Sequence, residues 1–172
     1  MMQTRRAAII LAACASLTQC AGYRIDGAKP PSLAKVRGIA VPMFSNATPH
    51  PRAEALATSA VAAAIVRDGR YRIADADDAD AVLEGEVASI NYSSIRGRRL
   101  DTLLPEELAN TVTLRWTLRD ARNPVKELAS GSSKGTSQLF VSSNLQTARN
   151  NALPEALEKA AEGLVSRISN GF

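Results

Sequence analysis

Few residues in this chain are of types that do chemistry. The one histidine, His50, stands between Pro49 and Pro51. A Ser–His–Asp triad or a histidine-containing metal site would have to use it, and neither kind of flanking signature surrounds it. His50 therefore reads as a turn residue. Asp75, Asp77, Asp78 and Asp80, with Glu86 twelve positions into the run, invite a calcium-loop reading. Asp80, however, stands where such a loop needs glycine, and Ala79 where it needs a ligand, so the run reads as a solvated turn. Gly131-Ser132-Ser133-Lys134-Gly135 contains glycine and lysine without the phosphate-loop spacing and reads as strand. These residues supply no catalytic centre, metal site or cofactor site.

The basic residues remain. Arg96, Arg98 and Arg99 form the densest basic patch, in a polar connection between two predicted strands. An ordinary solvated loop fits them. So does an anion contact, because the planar guanidinium pairs with phosphate or carboxylate through two parallel bonds. Arg115 and Lys134, on polar strand positions, are secondary candidates for the same work. Net charge is +4, from 21 basic and 17 acidic residues, and subtracting Arg5 and Arg6 leaves +2. That is too small an excess for a nucleic-acid partner, which needs a concentrated basic face.

Arg5 and Arg6 are set apart because Met1 to Cys20 reads as a secretory signal peptide. The arginines form its positive start, and Ala7 to Leu17 is an apolar run too short to span a membrane. Both cysteines, Cys14 and Cys20, lie in this segment, so no disulfide framework is available to the folded domain. An export signal ending at cysteine suggests a lipoprotein whose thiol is acylated. Leu17-Thr18-Gln19-Cys20 and Leu11-Ala12-Ala13-Cys14 are the two possible processing sites. Cys20 is favoured, because its apolar run is longer and the folded domain begins just after it. Several acyl chains would hold the domain on a membrane surface without spanning it.

The remaining elements must position these residues. With 172 residues, 45% hydrophobic and only 4% aromatic, the chain suits one domain with a small-residue core. A tether over residues 21–35 leads to a strand from Val36 to Phe44, with Pro42 marking an edge or an end. Pro51 can open a helix. The three- and four-residue spacing of Ala53, Leu56, Ala57, Ala60, Val61, Ala64 and Ile65 continues that helix to Gly69. Arg70 to Ala74 is a short strand. Val82 to Ile95 is a long one, with Gly85 as a bulge or a point of close approach. In Thr111 to Arg119, Val112, Leu114, Trp116 and Leu118 share one side and Thr/Arg residues the other. Lys126 to Val141 is a Ser/Thr/Gly-rich strand. Asn144 to Ser169 is a long helix striped by Leu145, Ala148, Ala152, Ala156, Ala160, Leu164 and Ile168, with a kink expected at Pro154. The order predicts an α+β two-layer sandwich, two helices packed on one face of a mixed four- to five-stranded sheet, over residues 36–172.

Laid out this way, the chain resembles the LPS-assembly lipoprotein family LptE. The resemblance is carried by Cys20-Ala21-Gly22-Tyr23, by Gly38-Ile39-Ala40-Val41-Pro42-Met43-Phe44-Ser45-Asn46-Ala47-Thr48, and by Ala79-Asp80-Ala81-Val82-Leu83-Glu84-Gly85-Glu86-Val87. The closing helix from Asn144 through Ala152-Leu153-Pro154 to Gly171-Phe172 also carries it. The resemblance implies a non-enzymatic outer-membrane lipoprotein facing the periplasm. Such a protein plugs an LptD-like outer-membrane β-barrel and helps deliver lipopolysaccharide to the cell surface. Arg96, Arg98, Arg99, Arg115 and Lys134 then become candidate contacts for lipid A phosphates or acidic barrel residues, and Cys20 the lipid anchor. An auxiliary lipoprotein of an ABC-type or lipid-trafficking envelope transporter is the alternative reading.

Overall fold

The computed structural model describes residues 29–95, 107–140 and 144–171. The chain forms β1 (Gly38–Ala40), β2 (Ser45–Asn46), α1 (Ala53–Asp68), β3 (Arg72–Ile73), β4 (Ala81–Ser94), β5 (Glu107–Asp120), β6 (Glu127–Phe140) and α2 (Leu145–Asn170). Strand order is β3-β1-β4-β5-β6, with β2 also pairing β4. The short strands run parallel, β1 to β3 and β4, and β2 to β4. The three long strands form an antiparallel meander. This is the mixed α+β sandwich the sequence predicts. It has six strands because the chain resumes on β4 after Pro42 as the two-residue β2.

Alternation along β5 explains the layering. Leu108, Val112, Leu114, Trp116 and Leu118 are buried, while Arg115 is exposed and the threonines between them are half-buried. Helix α1 meets this sheet through Ala53, Ala57, Val61, Ala64 and Ile65. Helix α2 uses Ala156, Leu157, Ala160, Ala161, Leu164 and Ile168. Alanine supplies at least half of the named residues on each helix, so backbones approach closely. At Gly135 of β6 a Cβ would overlap the carbonyl of Ala156 and the amide of Ala160. Ser137, two residues on, donates from Oγ to the Ala152 carbonyl at 2.6 Å. Helix α2 runs as one element through Pro154, with Ala152, Leu153, Ala156 and Leu157 buried on both sides of it. Pro154 therefore does not interrupt the helix.

Gly85 is a point of close approach: a Cβ there would overlap the Phe44 ring. The bulge lies further on, between Val87 and Ser89. It returns Ile90 and Tyr92 to the helix side, across from Val112 and Asn110. Helix α1 starts at Ala53 behind Arg52, whose φ of 66° is left-handed. It stops at Gly69, also left-handed, whose N–H reaches the Ile65 carbonyl. Part of the segment read as a tether packs on the domain. Pro31–Leu33 is a 3-10 turn, Leu33 and Val36 are buried, and the Lys29 ammonium donates to the Val36 carbonyl at 2.6 Å.

Candidate functional site

With both helices on one face, no described helix covers the other face of β4, β5 and β6. Its side chains come from alternate positions: Glu84, Glu86, Ser89 and Asn91; Thr111, Thr113, Arg115, Thr117 and Arg119; Ser130, Ser132, Lys134, Thr136 and Gln138. Each strand has fourteen residues. At about 3.3 Å per residue the face is roughly 45 Å long.

Its charges are ordered. Arg115 Nε lies 3.4 Å from Glu86 Oε2, and Arg119 Nε lies 3.0 Å from Glu84 Oε2. These pairs follow directly from the β4–β5 register, which sets Glu86 across from Arg115. Thr111 and Thr136 hydroxyls meet at 3.3 Å across β5 and β6. Register also sets Ser132 across from Arg115 and Lys134 across from Thr113, so Arg115 and Lys134 are diagonal neighbours on this face. Lys134 has no acidic partner among the described residues. The fold thus brings two sequence candidates together. Arg96, Arg98 and Arg99 lie outside the described residues, as do Cys14 and Cys20.

Other singled-out residues have structural employment. Asp80 is not merely a solvated turn residue. Its carboxylate accepts the backbone N–H groups of Arg37 and Gly38 at 2.9 and 3.0 Å, tying the loop to the start of β1. Those two bonds hold its carboxyl below the usual carboxylate range. His50 sits in the turn before α1, where its Nε2 is 2.9 Å from the Tyr92 hydroxyl. The Arg149 guanidinium stacks over the other partner of this contact, 4.6 Å from the Tyr92 ring centre. Burial pushes the Tyr92 phenol up. Trp116 is core, and its indole N–H donates to Ser133 Oγ at 3.3 Å.

Asn46 is one residue that sequence reasoning missed. Its amide nitrogen donates to the His50 carbonyl at 2.8 Å and to Glu54 at 2.9 Å. Its amide oxygen accepts from the Thr48 backbone and hydroxyl at 2.9 and 2.7 Å. One side chain therefore organises the turn that delivers α1, and the Ser-Asn-Ala-Thr run was the available signal. Asn110 was also missed. It is fully buried, and neither side-chain polar atom has a hydrogen-bond partner among the described residues.

A family model described as LptE, lipopolysaccharide-assembly, matches residues 36–168. No curated protein matches by sequence. Among solved structures, a hypothetical protein from Chlamydia trachomatis superimposes with a TM-score of 0.55 at 10% identity, covering 77% of this chain and 95% of that one. A protein from Xanthomonas campestris gives 0.53 at 17% identity over 78% of this chain and 85% of that one. A minor lipoprotein from Acinetobacter baumannii gives 0.50 at 9% identity, over 77% and 92%. At such identities these neighbours share the fold. No described helix is long and apolar enough to cross a membrane.

Proposed function

Because the chain belongs to the LptE lipopolysaccharide-assembly family, we propose that it is an outer-membrane lipoprotein, anchored through Cys20 on the periplasmic side. It plugs an LptD-like β-barrel and assists delivery of lipopolysaccharide to the cell surface, without enzymatic chemistry. The supporting observation is the open, polar face of three long strands. The lumen of a large membrane barrel is itself polar. A partner seated there must offer hydroxyls and charges, and this face is built of threonine, serine, arginine and glutamate.

The charges on that face support lipopolysaccharide contact. Arg115, itself exposed, is held by one half-buried carboxylate, that of Glu86, at 3.4 Å. A surface pair of this kind, with one partner exposed and the other half-buried, contributes about 0–1 kcal/mol, so a lipid A phosphate can replace Glu86 at small cost. Lys134 stands beside it as a second cation, and Arg96, Arg98 and Arg99 supply further candidates.

The test is lipopolysaccharide binding by the purified lipoprotein at low and high salt. Replacing Arg115 and Lys134 together with alanine is expected to weaken binding about ten-fold at low salt, with less difference at high salt. Glu86→Gln, which releases Arg115, is expected to tighten it. Unchanged affinity in that pair and in a triple alanine variant of Arg96, Arg98 and Arg99 would overturn the contact.

A further inference from the structure

Strand β6 closes the sheet on one side, and its outer edge is a second surface distinct from the open face. The hydrogen-bond phase of the meander determines which groups lie on that edge. Ile95 N–H donates to the Glu107 carbonyl, so odd residues of β5 bond toward β4 in this stretch. Even residues of β5 then bond toward β6, where the register pairs them with odd residues such as Ser133, Gly135 and Ser137. The N–H and C=O groups of Ser132, Lys134, Thr136 and Gln138 consequently point outward. The contact of Lys159 Nζ with the Thr136 carbonyl at 3.0 Å agrees with this phase. Apart from that carbonyl, these outward groups have no bonding partner among the described residues.

Such an edge is ordinarily blunted by shortness, proline, a bulge or charged side chains, lysine above all, and Lys134 is the one charged residue between Ser132 and Gln138. From Ser132 to Gln138 β6 has no proline and no register shift. Beside it lies an open groove of about 470 Å³ lined by Ser132, Ser133, Lys134, Gly163 and Arg167. Gly163 is a mid-helix glycine, a type that weakens a helix by about 1 kcal/mol relative to alanine. A Cβ there would meet only Ser133 Cβ, at 3.8 Å. Space is therefore kept beside the strand at a cost to the helix.

We propose that the β6 edge from Ser132 to Gln138 accepts an extended acidic polypeptide segment as a further strand of the sheet. Charge selects the chemistry. Lys134 and Arg167 flank the groove, and neither has a carboxylate partner among the described residues. Lys159 lies on the same edge, shared with Glu155 at 2.7 Å. The incoming strand's N–H takes the Thr136 carbonyl, and Lys159 turns to its carboxylate. Helix α2 excludes a second copy of this chain as antiparallel occupant. It lies directly over β6 at Gly135, and strands pair about 4.8 Å apart, whereas packed helices need about 8–10 Å. An antiparallel occupant is therefore a strand with no helix above it.

The test titrates isotope-labelled full-length protein in detergent micelles with a blocked ten-residue peptide alternating valine and glutamate, and with its valine–lysine counterpart. Amide exchange is read by NMR. With the glutamate peptide, the amides of Ser132, Lys134, Thr136 and Gln138 are expected to slow about ten-fold or more. Those of Ser133, Gly135 and Ser137, already bonded to β5, should change little. The lysine peptide should protect nothing. Ser132→Pro, which removes an outward N–H and spares the β5 ladder, and Gly163→Leu, which fills the groove, should each abolish protection with an unchanged fold by circular dichroism. No protection at millimolar glutamate peptide, equal protection by the lysine peptide, or protection surviving both variants would overturn the proposal. So would edge protection without peptide in a sample of dimer mass. Ser132→Pro leaves Arg115 and Lys134 on the open face and should retain lipopolysaccharide binding, which separates this proposal from the preceding one.

Discussion

Gly135 lies against the backbone of Ala156 so closely that no side chain fits between strand β6 and helix α2. That contact sets the distance between the two layers and, through it, the position of the β6 edge. Gly135→Ala must push the helix away along with Ala160. The expected loss is about 3 kcal/mol in urea unfolding, the upper range for overpacking. Gly163→Ala on the same helix should instead stabilise by about 0.5–1 kcal/mol, since its Cβ has room.

Gly85 and Phe44 make a second pair of this kind. Gly85→Ala would collide with the Phe44 ring, which is buried under the sheet. The single variant is expected to lose about 1–3 kcal/mol. Adding Phe44→Leu to Gly85→Ala should cost less than the two single losses summed, as a double-mutant cycle in urea would measure. Strict additivity would mean that the ring does not set the need for glycine.

Two ionisable groups tie stability to pH in opposite directions. Burial, helped by Asp68, pushes the Tyr71 phenol up to about 12. Its folded value exceeds the ordinary 10, so its contribution is complete below pH 10 and is lost as pH rises through about 12. Tyr71→Phe should flatten alkaline unfolding in that window. Asp80 has the reverse sign. Its folded value lies below 3.8, so its contribution is present above that pH and is lost as pH falls further. Asp80→Asn should flatten the acid limb of the stability profile.

Asn110 is a buried amide whose two polar atoms have no partner among the described residues. Replacement by leucine of similar shape removes the desolvation penalty of those atoms. Asn110→Leu is expected to raise stability by about 1–2 kcal/mol, read as a higher urea midpoint with an unchanged slope.

The layers were legible in the sequence because they rest on local periodicity. The alternation of Val112, Leu114, Trp116 and Leu118, and the alanine stripes of both helices, declare their buried faces without knowledge of the partner. The two-residue strand β2 was harder, since two residues carry no alternation, whereas β3 falls within the strand read over Arg70 to Ala74. Site relationships depend on register, which local pattern leaves open. Arg115 and Lys134 could be singled out separately, but their adjacency exists only once Thr113 is set across from Lys134. Asp80 read as a solvated turn because the amides it holds, those of Arg37 and Gly38, are more than forty residues away. His50 likewise gave no hint of Tyr92. The β6 edge was hidden for the same reason, because only strand order reveals which strand is last.

The most direct test of the central proposal is affinity purification of the tagged full-length protein from detergent-solubilised native outer membrane, with mass spectrometry of what accompanies it. Recovery of one large β-barrel in equal amount, with the acyl modification on Cys20, is the expected result. Recovery of inner-membrane transport components with no barrel would contradict the plug reading and favour an auxiliary lipoprotein of an envelope transporter.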